Sequence, residues 1–143
     1  MKRGFTLLEL IVVILILGIL ATLGLTQYGR VIERSRGAEA RAIIGDIRKF
    51  AAAYYMEHGT IDNFTAELAG IGTDADQIPD ACRPSHYFSY AIALPGNPAI
   101  TITATRCDDT GKLPGGGAAV GRTLILTSNL SDGTDTWGGD GGY

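Results

Sequence analysis

From Phe5 to Leu25 the chain runs 21 residues with a single charge, Glu9, and between Leu10 and Leu25 every position is apolar, Gly or Thr. As a helix rising 1.5 Å per residue this run is about 30 Å long, the thickness of a bilayer's hydrocarbon core. Lys2 and Arg3, with the free amine, hold its start in the cytoplasm by the positive-inside rule, which places the remainder outside. A cleaved secretory signal has a shorter apolar core, roughly 7–15 residues, followed by a small-x-small cleavage site. Here the core is longer, a carboxylate sits near its start, and Leu23-Gly24-Leu25-Thr26 offers no Ala-x-Ala site. A plain membrane anchor, for its part, has no use for Glu9. An ionisable group inside a membrane segment costs about 3 kcal/mol on insertion scales and usually marks a function with a partner.

The rest of the chain has a different character. Hydrophobic residues reach 45% overall but are concentrated in that one run, so the remainder is mixed and Gly-rich. A length of 143 residues leaves room for a long helix and one small head. The net charge of −3 gives no reason to expect nucleic acid as a partner. The two cysteines, Cys82 and Cys107, form an even pair in a chain with an export-type start, which reads as one disulfide in an oxidising compartment. Such a loop stabilises the head by roughly 3 kcal/mol in the chain-entropy picture. Two thiols without clustered histidines make a poor metal site.

Gly4-Phe5-Thr6-Leu7-Leu8-Glu9, behind a basic leader and ahead of an apolar run containing Gly18, resembles the processing site of type IV prepilins and type II secretion pseudopilins. The resemblance covers about the first 30 residues. It implies that a membrane peptidase cuts after Gly4 and methylates the new N-terminus, Phe5, and that Glu9 is the assembly glutamate. Physical chemistry agrees: a freed Phe5 amine buried among bundled helices needs a counter-charge, and Glu9 of a neighbouring copy supplies one. Burying either charge alone is expensive, so the pair sets the register of docking. The implied partners are further copies of the chain in a helical filament, the prepilin peptidase, an inner-membrane assembly machinery, and the membrane itself before assembly. The implied location is the inner membrane for the precursor and an extracellular filament afterwards, or a periplasmic one for a pseudopilin. One departure from the family pattern is Thr26, where many pilins carry proline; Gly24 and Gly29 flank it and weaken the helix there. Tyr28 also fits the pattern.

From Gly29 to His58 there is no proline, and Ile43, Ile47, Phe50 and Tyr54 recur at one helical face, extended by Ala40 and Ala51. Arg30, Glu33, Arg34, Arg36, Glu39, Arg41 and Asp46 form the charged remainder, and Gly59 is a stop signal. A connecting segment follows with a short helix over Phe64–Ala69. Strands are expected at 87–92, 99–104 and 123–127, with Pro95-Gly96-Asn97-Pro98 as a turn and a Gly-rich loop from Leu113 to Gly121. The fold class is therefore α+β: a long N-terminal α-helix, transmembrane in its first half and amphipathic in its second, packed on a small antiparallel sheet. The divisions are a leader 1–4, a membrane or filament-core helix 5–28, an amphipathic helix 29–58, and a head 59–143.

Other candidate sites carry less. Asp132, Asp135 and Asp140 among glycines offer oxygen ligands for calcium, but they do not form an EF-hand loop and read as solvated turns, so neither metal nor cofactor is expected. Trp137 reads as an anchor for this tail. Gly115–Gly117 lacks the following Lys-Ser/Thr of a phosphate loop. His58, and the adjacent Ser85 and His86, do not amount to a catalytic arrangement, since geometry defines such sites. The aromatic residues Tyr28, Phe50, Tyr54 and Tyr55 read as packing groups rather than an electron path. The resemblance and the residues together therefore imply a non-enzymatic, pilin-like subunit, with a secretion pseudopilin and a non-polymerising single-pass envelope protein as alternatives.

Overall fold

The computed structural model describes residues 5–107 and 122–140. Two compact units divide at Ile32/Glu33, within the single helix α1, Leu7–His58. Thr6 caps the start of α1: its Oγ1 accepts the Glu9 N–H at 3.3 Å, and its carbonyl accepts from Leu10 N at 3.2 Å. Thr6-x-x-Glu9 is the sequence pattern of a capping box, and the Glu9 carboxylate lies in the first turn, where the helix dipole favours it. Over Leu7–Leu25, 19 residues long and apolar enough to cross a membrane, none of the side chains is buried. Thr22, the hydroxyl within this run, donates back to the carbonyls of Gly18 (3.0 Å) and Ile19 (2.9 Å), so no hydroxyl proton faces the apolar surroundings unpaired.

In the second unit α1 carries the core stripe Ala40, Ile44, Ile47 and Ala51, all fully buried. Of the expected face, Ala40, Ile47 and Ala51 are buried, but its centre lies roughly 40° from that of the buried stripe at 100° per residue. Ile43 and Tyr54 lie at the margin, partly buried, and Phe50 falls outside it, 56% exposed. Ile44, on the opposite flank from Phe50, takes the place in the core. Gly59 ends the helix with φ +71°, its N–H bonding to the Tyr55 carbonyl at 2.8 Å.

Four antiparallel strands form the main sheet in the order β3 (Phe88–Gly96), β4 (Ala99–Arg106), β5 (Thr123–Asn129), β6 (Asp135–Gly138), while β1 (Ile71–Gly72) and β2 (Ile78–Pro79) make a separate parallel pair. Strands β3, β4 and β5 were expected, though shorter; β1, β2 and β6 were not. The β3–β4 turn runs through Gly96 and the cis Asn97–Pro98 bond. Alternation on β4 sends Ile100, Ile102, Ala104 and Arg106 inward and four neighbours, among them Thr101, Thr103 and Thr105, to the other face. Phe88 and Tyr90 from β3 and Leu124 and Leu126 from β5 complete the face on which α1 packs. The expected helix over Phe64–Ala69 is instead a run of turns: Ala69 N–H reaches Thr65 O at 3.1 Å, and Gly70 (φ +74°) stops the coil after one turn. Phe64 still fills the core, its ring 5.4 Å from that of Tyr54. The Gly-rich loop Leu113–Gly121 lies outside the described residues.

Truncating Ile47 to Ala is expected to cost about 2–5 kcal/mol, the range for a buried aliphatic side chain. Phe50→Ala is expected to cost under about 0.5 kcal/mol, the scale of an ordinary surface change. Urea unfolding of the detergent-solubilised chain, followed by the fluorescence of its one tryptophan, Trp137, distinguishes the two positions.

Candidate functional site

At the N-terminal end, Gly4 lies outside the described residues, and Phe5 (82% exposed) and Glu9 are both at the surface. The exposed apolar side chains of Leu7–Leu25 follow directly. A single chain therefore presents a carboxylate at the head of an unburied hydrophobic surface. That combination has a chemical use only when lipid or other helices cover it.

The head is closed by a Cys82–Cys107 disulfide across 25 residues, with Cα atoms 5.5 Å apart. Beside it lies a feature that sequence reading missed. Arg106 is 1% exposed, and its Nη1 donates to the carbonyls of Tyr87 (2.7 Å) and Cys107 (3.2 Å). Its Nε meets the Glu33 carboxylate at 3.3 Å, and Arg36 pairs with the other oxygen of Glu33. Both guanidinium groups stack on Tyr87, at 5.0 Å for Arg106 and 4.3 Å for Arg36. A planar fork of donors in fixed geometry bonds carboxylate and carbonyls at once, where a lysine offers one compact ammonium on a flexible stem. The cluster thereby binds the first turn of the head's helix to β4 and to the disulfide. The signal was available: Arg106 continues the inward series Ile100, Ile102, Ala104 by two.

The C-terminal aspartates are not gathered into one site. Asp135 pairs with Arg48 Nε at 2.7 Å, and Arg48 also reaches Ser128 Oγ (3.2 Å) and the Gly133 carbonyl (3.3 Å). Asp132 Oδ1 accepts from the Thr134 N–H at 2.8 Å. Asp140 Oδ1 accepts from both the N–H (2.7 Å) and the hydroxyl (2.9 Å) of Thr123. Backbone hydrogen bonds to Thr134 and Thr123 hold the Asp132 and Asp140 carboxyls below their ordinary values. Among the described residues no three His, Cys, Asp or Glu side chains converge. Trp137 sits on β6, 45% exposed, with the Arg41 guanidinium 5.7 Å from its ring centroid. Burial first, and the Glu39 charge second, push the Tyr90 phenol well above its ordinary range, so it stays protonated. His58 bonds the Tyr54 carbonyl and stacks on its ring, and the Ser85 hydroxyl meets His86 Nδ1 at 2.8 Å on an exposed bend.

The first 25 residues match the prokaryotic N-terminal methylation motif. Across 136 residues, 95% of this chain and 80% of the relative, the sequence is 32% identical to the fimbrial protein EcpC of Eikenella corrodens. Across 114 residues, 79% of this chain and 69% of the relative, it is 31% identical to the type IV major fimbrial protein FimA of Dichelobacter nodosus. The chain belongs to the type IV pilin family. The type IV major pilin protein PilE of Neisseria gonorrhoeae is a further relative, 37% identical over 71 residues that cover 48% of this chain and 42% of the relative. Type IV pilins are structural proteins. The α+β architecture of this pilin, its apolar N-terminal helix and its disulfide-closed head accord with that membership.

Two outcomes follow for the head of this pilin. Arg106→Ala is expected to lower stability by about 3 kcal/mol, since it leaves buried carbonyls and part of Glu33 unpaired. Arg106→Lys is expected to recover less than about half of that loss, because the fork geometry is gone; urea midpoints of both variants test it. The depressed Asp140 pKa contributes stability that is present above the ordinary carboxylate value, near 3.9, and fades as pH falls through the lower folded value. The gap between parent and Asp140→Asn, measured by thermal unfolding, is therefore expected to persist at pH 6 and to close in strong acid.

Proposed function

We propose that this pilin is the structural subunit of a type IV pilus-like surface filament, made as a membrane-anchored precursor, cut between Gly4 and Phe5, and polymerised through residues 5–28. The observation that carries this reading is the unburied apolar surface Leu7–Leu25 with Glu9 at its head, inside a segment that matches the methylation motif. In the precursor, lipid covers that surface. In a filament, parallel copies of the same helix cover it, so withdrawal from the membrane exposes no apolar area to water. Cleavage gives Phe5 a free amine, and Glu9 of an adjacent copy neutralises it. A helix docked out of register leaves both charges buried without partners, which makes the pair a selector of subunit position. Residues 29–58 and the head 59–143 then form the outer part of each subunit. Prepilin peptidase and an inner-membrane assembly machinery are the partners this sequence of events requires.

The neighbouring reading, a periplasmic pseudopilus serving secretion, uses the same N-terminal chemistry. The pilin and fimbrial names of the relatives favour the surface filament.

The test is the N-terminal mass and sequence of protein sheared from the cell surface. A chain beginning at N-methylated Phe5 in that fraction supports processing and external assembly together. Glu9→Ala is expected to remove fibres while membrane insertion persists. A chain that still begins at Met1 and stays in the membrane despite active peptidase rules the reading out, and a secretion defect without loss of fibres transfers it to the pseudopilus.

A further inference from the structure

Two threonines near the start of the chain use their hydroxyls in opposite senses. Thr22, inside α1, donates to the carbonyls of Gly18 and Ile19 and has no bearing on where the helix begins. Thr6 accepts instead: its Oγ1 takes the Glu9 N–H at 3.3 Å. The helix starts at Leu7, so Phe5 and Thr6 both lie outside it. They are the first residues after the bond between Gly4 and Phe5 that the filament reading has cut. The cap thus stands between the membrane helix and the processing site, and only Phe5 separates it from that bond.

An α-helix leaves its first N–H groups without partners inside the helix. In water they are hydrated. Beside lipid a bare amide is costly, so an uncapped apolar helix gains by winding a further turn upstream. On α1 a further turn takes in Thr6, Phe5 and Gly4. Peptidases cut open, extended backbone, and a bond wound into a helix has its groups committed to the helix's own ladder. By accepting the Glu9 N–H, the Thr6 hydroxyl lets the helix stop at Leu7. The capping box is closed on that side only. Among the described residues no bond runs from the Glu9 carboxylate back to the Thr6 N–H, which is the reciprocal half of the pattern. Glu9 therefore stays available for the amine of an adjacent copy, and the stop rests on Thr6. Phe5 and Leu10 hold the two positions of a hydrophobic staple, but both are exposed. The Phe5 ring is not held against the helix and is free to be recognised.

We propose that Thr6 is a positioning residue for processing: its hydroxyl halts the membrane helix at Leu7 and so holds Phe5, and with it the bond to Gly4, outside the helix for the prepilin peptidase. Thr6 acts through the backbone and takes no part in the reaction itself. In that reaction the oxygen of a water bonds to the Gly4 carbonyl carbon and the C–N bond to Phe5 breaks. Gly4 keeps a carboxylate, and Phe5 leaves as an amine that takes up the proton. The proposal rests on the filament reading and names what opens its processing step.

Cleavage of the full-length chain by prepilin peptidase in detergent micelles, followed by mass, tests the role of Thr6. Thr6→Val keeps the branched shape and removes the acceptor, and it is expected to lower kcat/KM about fivefold, the scale of a lost N-cap. Thr6→Ser and Thr6→Asn cap with side chains of other shapes and are expected to recover most of the rate. The Cα chemical shift of Phe5, read by NMR in the same micelles, does not depend on the enzyme. It is expected to report extended backbone in the parent and in Thr6→Asn, and to move toward helix in Thr6→Val. Parental cleavage of Thr6→Val, or no recovery with Thr6→Asn, overturns the proposal. Slow cleavage of Thr6→Val with an unmoved Phe5 shift also overturns it, because the peptidase then reads the hydroxyl directly. A parent left uncut at Gly4/Phe5 removes the filament reading and the proposal together. A parent cut there, with Thr6→Val cut as fast, leaves the filament reading in place and removes the proposal alone.

Discussion

Packing of Ala40, Ile44, Ile47 and Ala51 against Ile100, Ile102 and Leu126 is the contact on which the head depends. Two alanines and two isoleucines make the stripe that joins the buried residues of the sheet in one core. A sheet of four strands with one face this apolar has no soluble form without such a cover. The opposite face, with Thr101, Thr103, Thr105, Thr123 and Thr127, is uncharged but polar enough to stand in water.

Polar links fasten the margins of that core. At one end, Arg106 and Arg36 share Glu33 and bracket Tyr87 beside the disulfide. Toward the other side of the helix, Arg41 and Arg48, seven residues apart on one flank, meet Trp137 and Asp135, two residues apart on one face of β6. Residues seven apart on a helix and two apart on a strand each return to the same face of their element. The last strand is held less by burial, since all four of its residues are exposed, than by these two arginines and by the pairing of β6 with β5. The loop after the helix is joined at Ile61, whose N–H donates to Asn97 Oδ1 at 3.2 Å, and at Arg83, which bonds the Gly72 and Asp74 carbonyls.

The same helix has to satisfy three environments. Apart from Glu9 its first turns present apolar surface, its later turns bury one stripe in the head, and the remaining faces carry charges and small residues. Residues excluded from the core, such as Gly45 and Met56, are the ones that packing within a single copy leaves unexplained. Assembly is the explanation proposed for the apolar N-terminal surface.

The amino-acid order alone determined the apolar helix, its end at Gly59, the amphipathic continuation, and strands β3, β4 and β5. Each of these follows from local rules: periods of 3.6 and 2, the conformational freedom of glycine, and the length of an apolar run. It also placed Phe5 and Glu9 at the head of that run and paired the only two cysteines. Tertiary structure alone decided that the buried stripe runs through Ile44 instead of Phe50, because the two flank the same stripe on opposite sides and only the sheet supplies the reference direction. The alternation of β4 points Arg106 inward, but only the fold supplied the Glu33 carboxylate and the two carbonyls that make an arginine tolerable there. It turned the Asp- and Gly-rich tail into a strand, because the partners that hold Asp135 and Trp137 come from a helix roughly ninety residues earlier. Long-range partners such as these have no local signature, so they became visible only once the chain was folded.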